Sequence, residues 1–256
     1  MSWDTSRPNK RAALILVLAV MLAHPRTANA YRPFDTTDAT VTGPGELVVE
    51  LGPVGFLDVS DERYLTAPSV ILNLGVFHNL ELVLQGRNFV LLNNVQGVPR
   101  DRFVDTGLFL KTIIREGSLQ NGSGPSLGLE LGPLLPTLNA ESGFGATAIA
   151  IVSQRWSFGT VHLNAVGTLT RAHDAEVFGG LIIEGPYAWP VRPVAEVFVD
   201  RDFGGTLVYS ALAGAIWRVS SDLSLDAALR LASVNETSAF ELRAGLTWTI
   251  PLWASP

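Results

Sequence analysis

The chain has 256 residues, 47% of them hydrophobic, with 18 basic and 24 acidic side chains and a net charge of −6. It contains no cysteine, which excludes disulfides, thiolate metal sites and a cysteine nucleophile. Its acidic balance makes nucleic acid a poor partner, so we expect none.

The first 30 residues have the features of a secretory signal peptide. Three basic side chains precede Ala12–Ala23, an apolar run too short to cross a bilayer as a helix, and Ala28-Asn29-Ala30 has the A-x-A pattern of a cleavage site. We therefore expect cleavage after Ala30. The leader holds four basic residues and one acidic residue, so the rest of the chain carries −9, and its only lysine is Lys111.

Residues 31–45 are polar and rich in threonine, with Pro33 and Pro44 among them. We interpret this stretch as an extended periplasmic lead-in before the first strand. Residues 46–253 then alternate between apolar and other side chains in short segments, which predicts β-strands with one apolar face. We count twelve such segments. The last two, Leu223–Ala232 and Ala239–Ile250, alternate most strictly.

The connections between these segments differ in length on the two sides of the predicted sheet. Val54–Ala67, Asn93–Asp101 and Pro133–Gly143 are long, whereas connections on the other side, such as Phe77–Leu80 and Trp156–Gly159, are short. Outer-membrane barrels combine long external loops with short periplasmic turns, and an even strand number leaves both chain ends on one side.

These observations predict an all-β fold, an antiparallel transmembrane β-barrel of about 12 strands over residues 46–253. The polar strand faces carry few charges, and the chain after residue 30 has no apolar run near 18 residues. Strands of about 10 residues, tilted by about 40°, span the roughly 25 Å apolar band of an outer membrane. A soluble sandwich or lipocalin-like binder is the alternative, and it requires leucines that face inward.

The tryptophans of the predicted barrel fall at turns and strand ends on the periplasmic side. Amphipathic rings favour the boundary between membrane and water, so we expect them to form a membrane girdle. The girdle comprises Trp156, Trp189, Trp217, Trp248 and Trp253.

The inward-facing parity of the strands collects most of the charges. Such charges must be paired or hydrated, and they either fix the register of the barrel or select the charge of a solute. Acidic residues predominate, so an eyelet would favour cations or neutral solutes. The residues of this predicted lumen are Glu50, Arg87, Asp105, Lys111, Glu130, His162, Glu196, Asp200, Asp226, Arg230, Glu241 and Arg243.

Nothing in the sequence indicates an enzyme. No Gly-x-Ser-x-Gly motif is present, and no histidine pair has metal-ligand spacing. His162 alone lies on a polar strand face, where a hydrogen-bonding role is more common than a catalytic one. We predict no catalytic, metal or cofactor residues.

The stretch Arg32–Ala39, then Pro44-Gly45 and Glu46 to Glu50, resembles the start of a family of outer-membrane transporters described as the "MetA-pathway of phenol degradation" family. The closing hairpin of residues 223–250 is similar to that family's ending. The resemblance implies uptake of aromatic compounds. The chain departs from many outer-membrane barrels in ending Trp253-Ala254-Ser255-Pro256 rather than on an aromatic residue.

We therefore expect an outer-membrane barrel that acts as a passive channel for small, aromatic or hydrophobic, solutes. Its expected partners are membrane lipid, the solute and the barrel assembly machinery; whether barrels associate with each other is left open. A non-transporting barrel with a structural, adhesive or lipid-modifying role is the first alternative, and the soluble binder is the second.

Overall fold

A computed structural model of the protein describes residues 32–253. The predicted signal peptide and its cleavage site lie outside these residues. Within the described chain, no helix has the length and apolar character needed to cross a membrane.

Twelve antiparallel strands form a closed barrel in which each strand pairs with its neighbours in the sequence and β1 pairs with β12. This confirms the predicted twelve-stranded barrel. Closure removes unpaired sheet edges, which is a requirement for any sheet in lipid. The strands are β1 Glu46–Val59, β2 Glu62–Phe77, β3 Leu80–Leu91, β4 Asp101–Arg115, β5 Ser126–Leu134, β6 Gly145–Trp156, β7 Gly159–Leu169, β8 Ala175–Glu184, β9 Val191–Asp202, β10 Leu207–Arg218, β11 Leu223–Val234 and β12 Thr237–Pro251.

The strands place polar side chains inside and apolar side chains outside. In β9, Arg192 and Glu196 are buried, whereas Val197 is half exposed. Leucines follow the same rule, since Leu163 is 52% exposed and Leu231 is 57% exposed. The soluble alternative requires leucines inside, and this facing contradicts it.

One predicted connection is wrong. Val54–Ala67 is not a long loop, because β1 continues to Val59 and β2 begins at Glu62. The register shifts between Leu51 and Val54 and again between Thr66 and Ser69. Pro53 and Pro68 lie in these two shifts, and since proline cannot donate a ladder hydrogen bond it is tolerated at bulges. The bulges interrupt the alternation, and a hairpin therefore looks like a loop in the sequence.

The turn between β11 and β12 offers a stabilising substitution. Asn235 and Glu236 have φ of 45° and 68°, the left-handed conformations of a two-residue hairpin turn. Glu236→Gly should stabilise the barrel by about 0.5–1 kcal/mol, because glycine adopts this conformation without a steric penalty. The midpoint of urea unfolding in detergent measures the gain. Asn235→Gly should show less benefit, because the Asn235 side chain accepts a hydrogen bond from the Leu207 backbone N–H at 2.8 Å.

Candidate functional site

Most of the described chain that precedes β1 lies inside the barrel. Residues 32–42, which we call the luminal segment, contact inward-facing side chains of strands on all sides of the lumen. The prediction of a lead-in outside the barrel is therefore wrong. The physical reason is that inward-facing carboxylates, hydroxyls and amides accept the N–H groups of an extended segment, which has no sheet partners of its own.

Arg32 lies deep in the lumen beside β1, β11 and β12. Its Nε is 3.5 Å from the Asp226 carboxylate, and its backbone N–H donates to Glu50 at 3.1 Å. Asn73 donates to the other Glu50 oxygen at 2.9 Å. A Cβ on Gly245 would lie 2.3 Å from Arg32 Nε, so the guanidinium occupies space that only a glycine leaves free.

Asp35 is surrounded by basic side chains. Arg243 lies 2.9 Å from its carboxylate, Arg230 lies 3.5 Å away and Arg87 lies 4.0 Å away. Burial opposes ionisation of Asp35, but Arg243, Arg230 and Arg87 together outweigh it and hold the pKa of Asp35 below its usual range. Glu241 joins the same cluster, 2.8 Å from both Arg230 and Arg243. Two carboxylates and three guanidiniums thus tie the segment to β3, β11 and β12.

Glu196 holds the centre of the luminal segment from the opposite wall. Its carboxylate accepts the backbone N–H groups of Asp35 and Thr36, both at 2.9 Å, and the Thr36 hydroxyl at 2.6 Å. Glu196 is only 1% exposed. Three donors of the luminal segment thus converge on this one buried carboxyl group, which makes it an anchor of the segment.

Lys111 forms a third anchor. Its ammonium donates to the Thr37 hydroxyl at 3.0 Å and lies 3.6 Å from Asp38 and 3.5 Å from Glu81. Its side chain is 2% exposed and that of Glu81 is fully buried. Burial opposes ionisation of Asp38, but Lys111, His162 and the hydrogen bonds from Thr40 together outweigh it, so the pKa of Asp38 is lowered. Glu81 also accepts the Thr42 backbone N–H at 2.6 Å.

His162 belongs to a hydrogen-bonded chain with a serine and a glutamate. Its Nδ1 is 2.8 Å from Ser153 Oγ, and its Nε2 is 3.0 Å from Glu184. Serine hydrolases use the same three residue types. Here the Ser153 hydroxyl is fully buried and accepts the Ala39 backbone N–H at 3.0 Å. The arrangement therefore anchors the luminal segment.

The turn between β4 and β5 packs against the luminal segment from the end of the barrel at which β1 begins. It contains a short 3-10 helix, Ser118–Gln120. Leu119 packs with Ala39 and Ile151 in a small buried cluster, and the Gln120 side chain donates to the Ala39 carbonyl at 2.8 Å. The segment and this turn together occupy part of the lumen at the end of the barrel where β12 ends, which we call the terminal end.

A cavity of about 470 Å³ lies on the other side of the luminal segment. Its floor is Phe34–Thr37, and it extends past Glu141 and Arg171 at the opposite end, which we call the loop end. Apolar rings and aliphatic side chains line part of its wall, among them Phe109 and Phe178. Seven carboxylates and three basic side chains also line it, which leaves the cavity formally acidic.

Eleven of the twelve residues of the predicted lumen lie on the inward parity of their strands, and most of the twelve are buried. Asp105 lies where the register between β3 and β4 shifts, and it lines the cavity. Some of these charges pair with one another, since Glu241 pairs with Arg230 of the neighbouring strand and with Arg243 of its own strand. Asp226 instead faces Arg32, and Arg87 lies 3.4 Å from Asp105. Their role in solute selection stays a prediction.

Several residues of this site were not predicted from the sequence. Glu81 shares the parity of Val83, Gln85 and Arg87, so extending β3 by one residue identifies it. Ser153 and Asn164 are uncharged, and Glu184 lies at a strand end, so parity alone did not single them out. No sequence signal marks the luminal segment as internal, because its polar composition is equally typical of an exposed stretch.

The five tryptophans of the predicted girdle lie near the terminal end, each between 44% and 54% exposed. Trp156 stacks on Phe158 with ring centroids 5.7 Å apart. Their contact with lipid headgroups stays a prediction.

The sequence matches no protein-family model and no curated protein. Solved structures of similar fold include the COG4313 outer membrane channel from Pseudomonas putida F1, with a TM-score of 0.59, 12% identity and coverage of 85% of this chain and 100% of that chain. The KdgM porin has a TM-score of 0.50 and 7% identity, and covers 78% of this chain and 98% of that chain. The fold is thus that of outer-membrane β-barrels.

Asp35 provides a test of how the luminal segment is held. In Asp35→Asn, Arg230 and Arg243 keep Glu241 as their close anionic partner among the described residues, and Arg87 keeps Asp105 and Glu241. We expect backbone amides 36–39 to exchange about tenfold faster with deuterium, because the segment leaves the wall more often. Asp58→Asn is the control, since Asp58 forms an exposed pair with Arg63 at 3.1 Å.

The lowered pKa of Asp35 also sets the pH range in which this anchor acts. Because the pKa of Asp35 is depressed when the segment is docked, ionised Asp35 stabilises docking at any pH above the ordinary carboxyl pKa of about 3.9. This stabilisation is lost only as the pH falls through the lower pKa of the docked state. The difference in exchange rate between Asp35→Asn and wild type, measured at the same pH, should therefore stay constant from neutral pH to about pH 4. Loss of that difference near pH 5 would contradict this role for Asp35.

Proposed function

We propose that the protein is a passive outer-membrane channel for small solutes of aromatic or hydrophobic character, and that its luminal segment forms the narrowest point. The observation that carries the proposal is the cavity that lies between the loop end and the floor made by Phe34–Thr37. Its size suits a small organic molecule, since ligand sites typically enclose about 300–1,000 Å³.

The chemistry of the cavity supports the solute class. Phe109 and Phe178 offer aromatic surface, and Val83, Ile149 and Val166 add aliphatic surface beside the acidic side chains. An aromatic ring with a hydroxyl or amine group would match this mixture, with the ring against the apolar wall and the polar group toward a carboxylate. The formal excess of carboxylates favours neutral or cationic solutes over anions.

The likeness to channels and porins of known structure is consistent with this function and adds the fold alone. Outer-membrane localisation and assembly by the barrel assembly machinery are part of the proposal. A lipid-modifying role has less support, because Ser153 is buried under the luminal segment and faces away from lipid.

The test uses the mature chain, residues 31–256, refolded into planar bilayers and into liposomes. In planar bilayers we expect small, discrete current steps and a reversal potential in a salt gradient that shows preference for cations. In liposomes, the protein should increase the rate of phenol entry, relative to protein-free liposomes, more than it increases the entry of a neutral sugar of similar mass. Stable insertion with no current and no difference in solute entry would overturn the channel proposal. Equal entry of sugar and phenol would overturn only the solute class.

A further inference from the structure

Three arginines at the terminal end of the lumen gather around one tyrosine. The guanidinium of Arg155 lies 4.1 Å from the centre of the Tyr187 ring, that of Arg192 lies 5.2 Å away and that of Arg218 lies 5.3 Å away. The arginines come from β6, β9 and β10 and share the inward parity of Ser153, Val194 and Ile216. Tyr187 belongs to the turn between β8 and β9, which therefore bends over the mouth of the barrel.

The charges of this cluster are not balanced by the protein. Among the described residues, the only carboxylate within ion-pair distance of any of the three is Glu184, 3.3 Å from Arg192. Glu184 also accepts from His162. Arg218 donates to the carbonyls of Tyr187 and Ala188. The cluster therefore holds a formal excess of two positive charges.

Two hydrogen-bond donors of the arginine cluster also have no partner among the described residues. The Nε atoms of Arg155 and Arg192 are buried and have no hydrogen-bond partner. Attraction to the face of one tyrosine ring is modest, whereas like charges held this close repel each other. Guanidiniums present a planar set of donors that matches the oxygens of phosphate and carboxylate groups.

We propose that Arg155, Arg192 and Arg218 form a binding site for an oxyanion, a phosphate or carboxylate group, at the terminal mouth of the barrel. The bound oxygens would accept from the guanidinium groups, and Tyr187 would keep the arginines gathered in the absence of the ligand. The site lies across the luminal segment from the acidic cavity, so the two ends of the lumen have opposite charge preferences. The inference rests on this cluster and does not require that the barrel conduct solutes.

The experiment is isothermal titration of the detergent-solubilised mature chain with inorganic phosphate and, separately, with benzoate. We expect saturable binding of at least one of them, weakened about tenfold or more in Arg155→Gln and in Arg218→Gln. Arg155→Lys should retain part of the affinity, because it keeps the charge and loses the planar donor pair. Tighter binding of phosphate would identify a free inorganic ion, and tighter binding of benzoate the acid group of an aromatic solute.

The matched control is Arg102→Gln. Arg102 lies over Tyr64, 5.1 Å from the ring centre, but it sits toward the loop end and pairs with Glu62. It should leave anion binding unchanged. Circular dichroism and the melting temperature of each variant show whether the barrel is intact. The proposal is overturned if the wild-type chain binds neither anion, or if folded Arg155→Gln and Arg218→Gln bind as tightly as wild type.

Discussion

Removal of residues 32–42 should raise the single-channel conductance several-fold. The luminal segment crosses the lumen, and it is tied to the wall through Asp226, Glu196, Lys111 and Arg243. Water would replace the segment and hydrate these side chains, so the barrel wall, whose strand ladder does not include the segment, is expected to persist. A wider aqueous path carries more ions, and selectivity for small solutes over larger ones should weaken at the same time.

The measurement is conductance in planar bilayers, with retention of the barrel checked by circular dichroism and heat-modifiable gel mobility. A point variant displaces the segment without shortening the chain. Gly75→Val should also raise conductance, because a Cβ at Gly75 would collide with the carbonyl oxygens of Thr42 and Gly43, so the end of the luminal segment must move away from the wall. Gly179→Val is the control, since nothing lies within 4 Å of its Cβ. A folded deletion variant with unchanged conductance would contradict the idea that this segment is the constriction.

Lys111→Met should destabilise the barrel by about 3–5 kcal/mol, the usual cost of removing one partner from a buried ionic cluster. Lys111 is the only lysine after the predicted signal peptide, and its buried ammonium lies within ion-pair distance of Asp38 and Glu81. Methionine has nearly the same shape, so the loss of charge dominates over any cavity. The variant leaves buried carboxylates without their cation, and those groups must then bind protons or water.

The free energy of urea unfolding in detergent measures this effect. Arg63→Met is the matched control, because the side chains of Arg63 and Asp58 are 64% and 38% exposed and such pairs contribute about 0–1 kcal/mol. The destabilisation of Lys111→Met should also shrink at low pH, where the carboxylates are protonated in both the folded and the unfolded chain. Equal small losses in the two variants would show that Lys111 is not an ionic anchor of the lumen.

The strands of the barrel wall could be predicted from the sequence, because the alternation that marks a strand involves only residues close together in the chain. Side chains of a strand alternate between two faces, so the pattern of Leu223–Ala232 and Ala239–Ile250 predicts both the strands and their facing. The same alternation placed eleven of the twelve predicted lumen residues on the inward parity, and Asp105 lies at the register shift between β3 and β4. The failure at Val54–Ala67 has a local cause as well, since two bulges at prolines break the alternation that the prediction requires.

The contacts inside the lumen could not be predicted in the same way. Asp35 is separated by 161 residues from Glu196 and by 208 residues from Arg243, and nothing local to residues 32–42 indicates either partner. An extended polar segment has the same composition whether its N–H groups bind water or carboxylates. The arginine cluster around Tyr187 likewise draws on three strands and a turn that only barrel closure brings together.

The sequence by itself therefore determined the class of fold, the number of strands and the direction in which their side chains point, because these follow from the period of a strand and from the need to bury backbone hydrogen bonds in lipid. The tertiary structure alone decided what fills the lumen. That outcome depends on which distant charges meet when β12 closes onto β1, and pairing between distant charges leaves no periodic trace in the sequence.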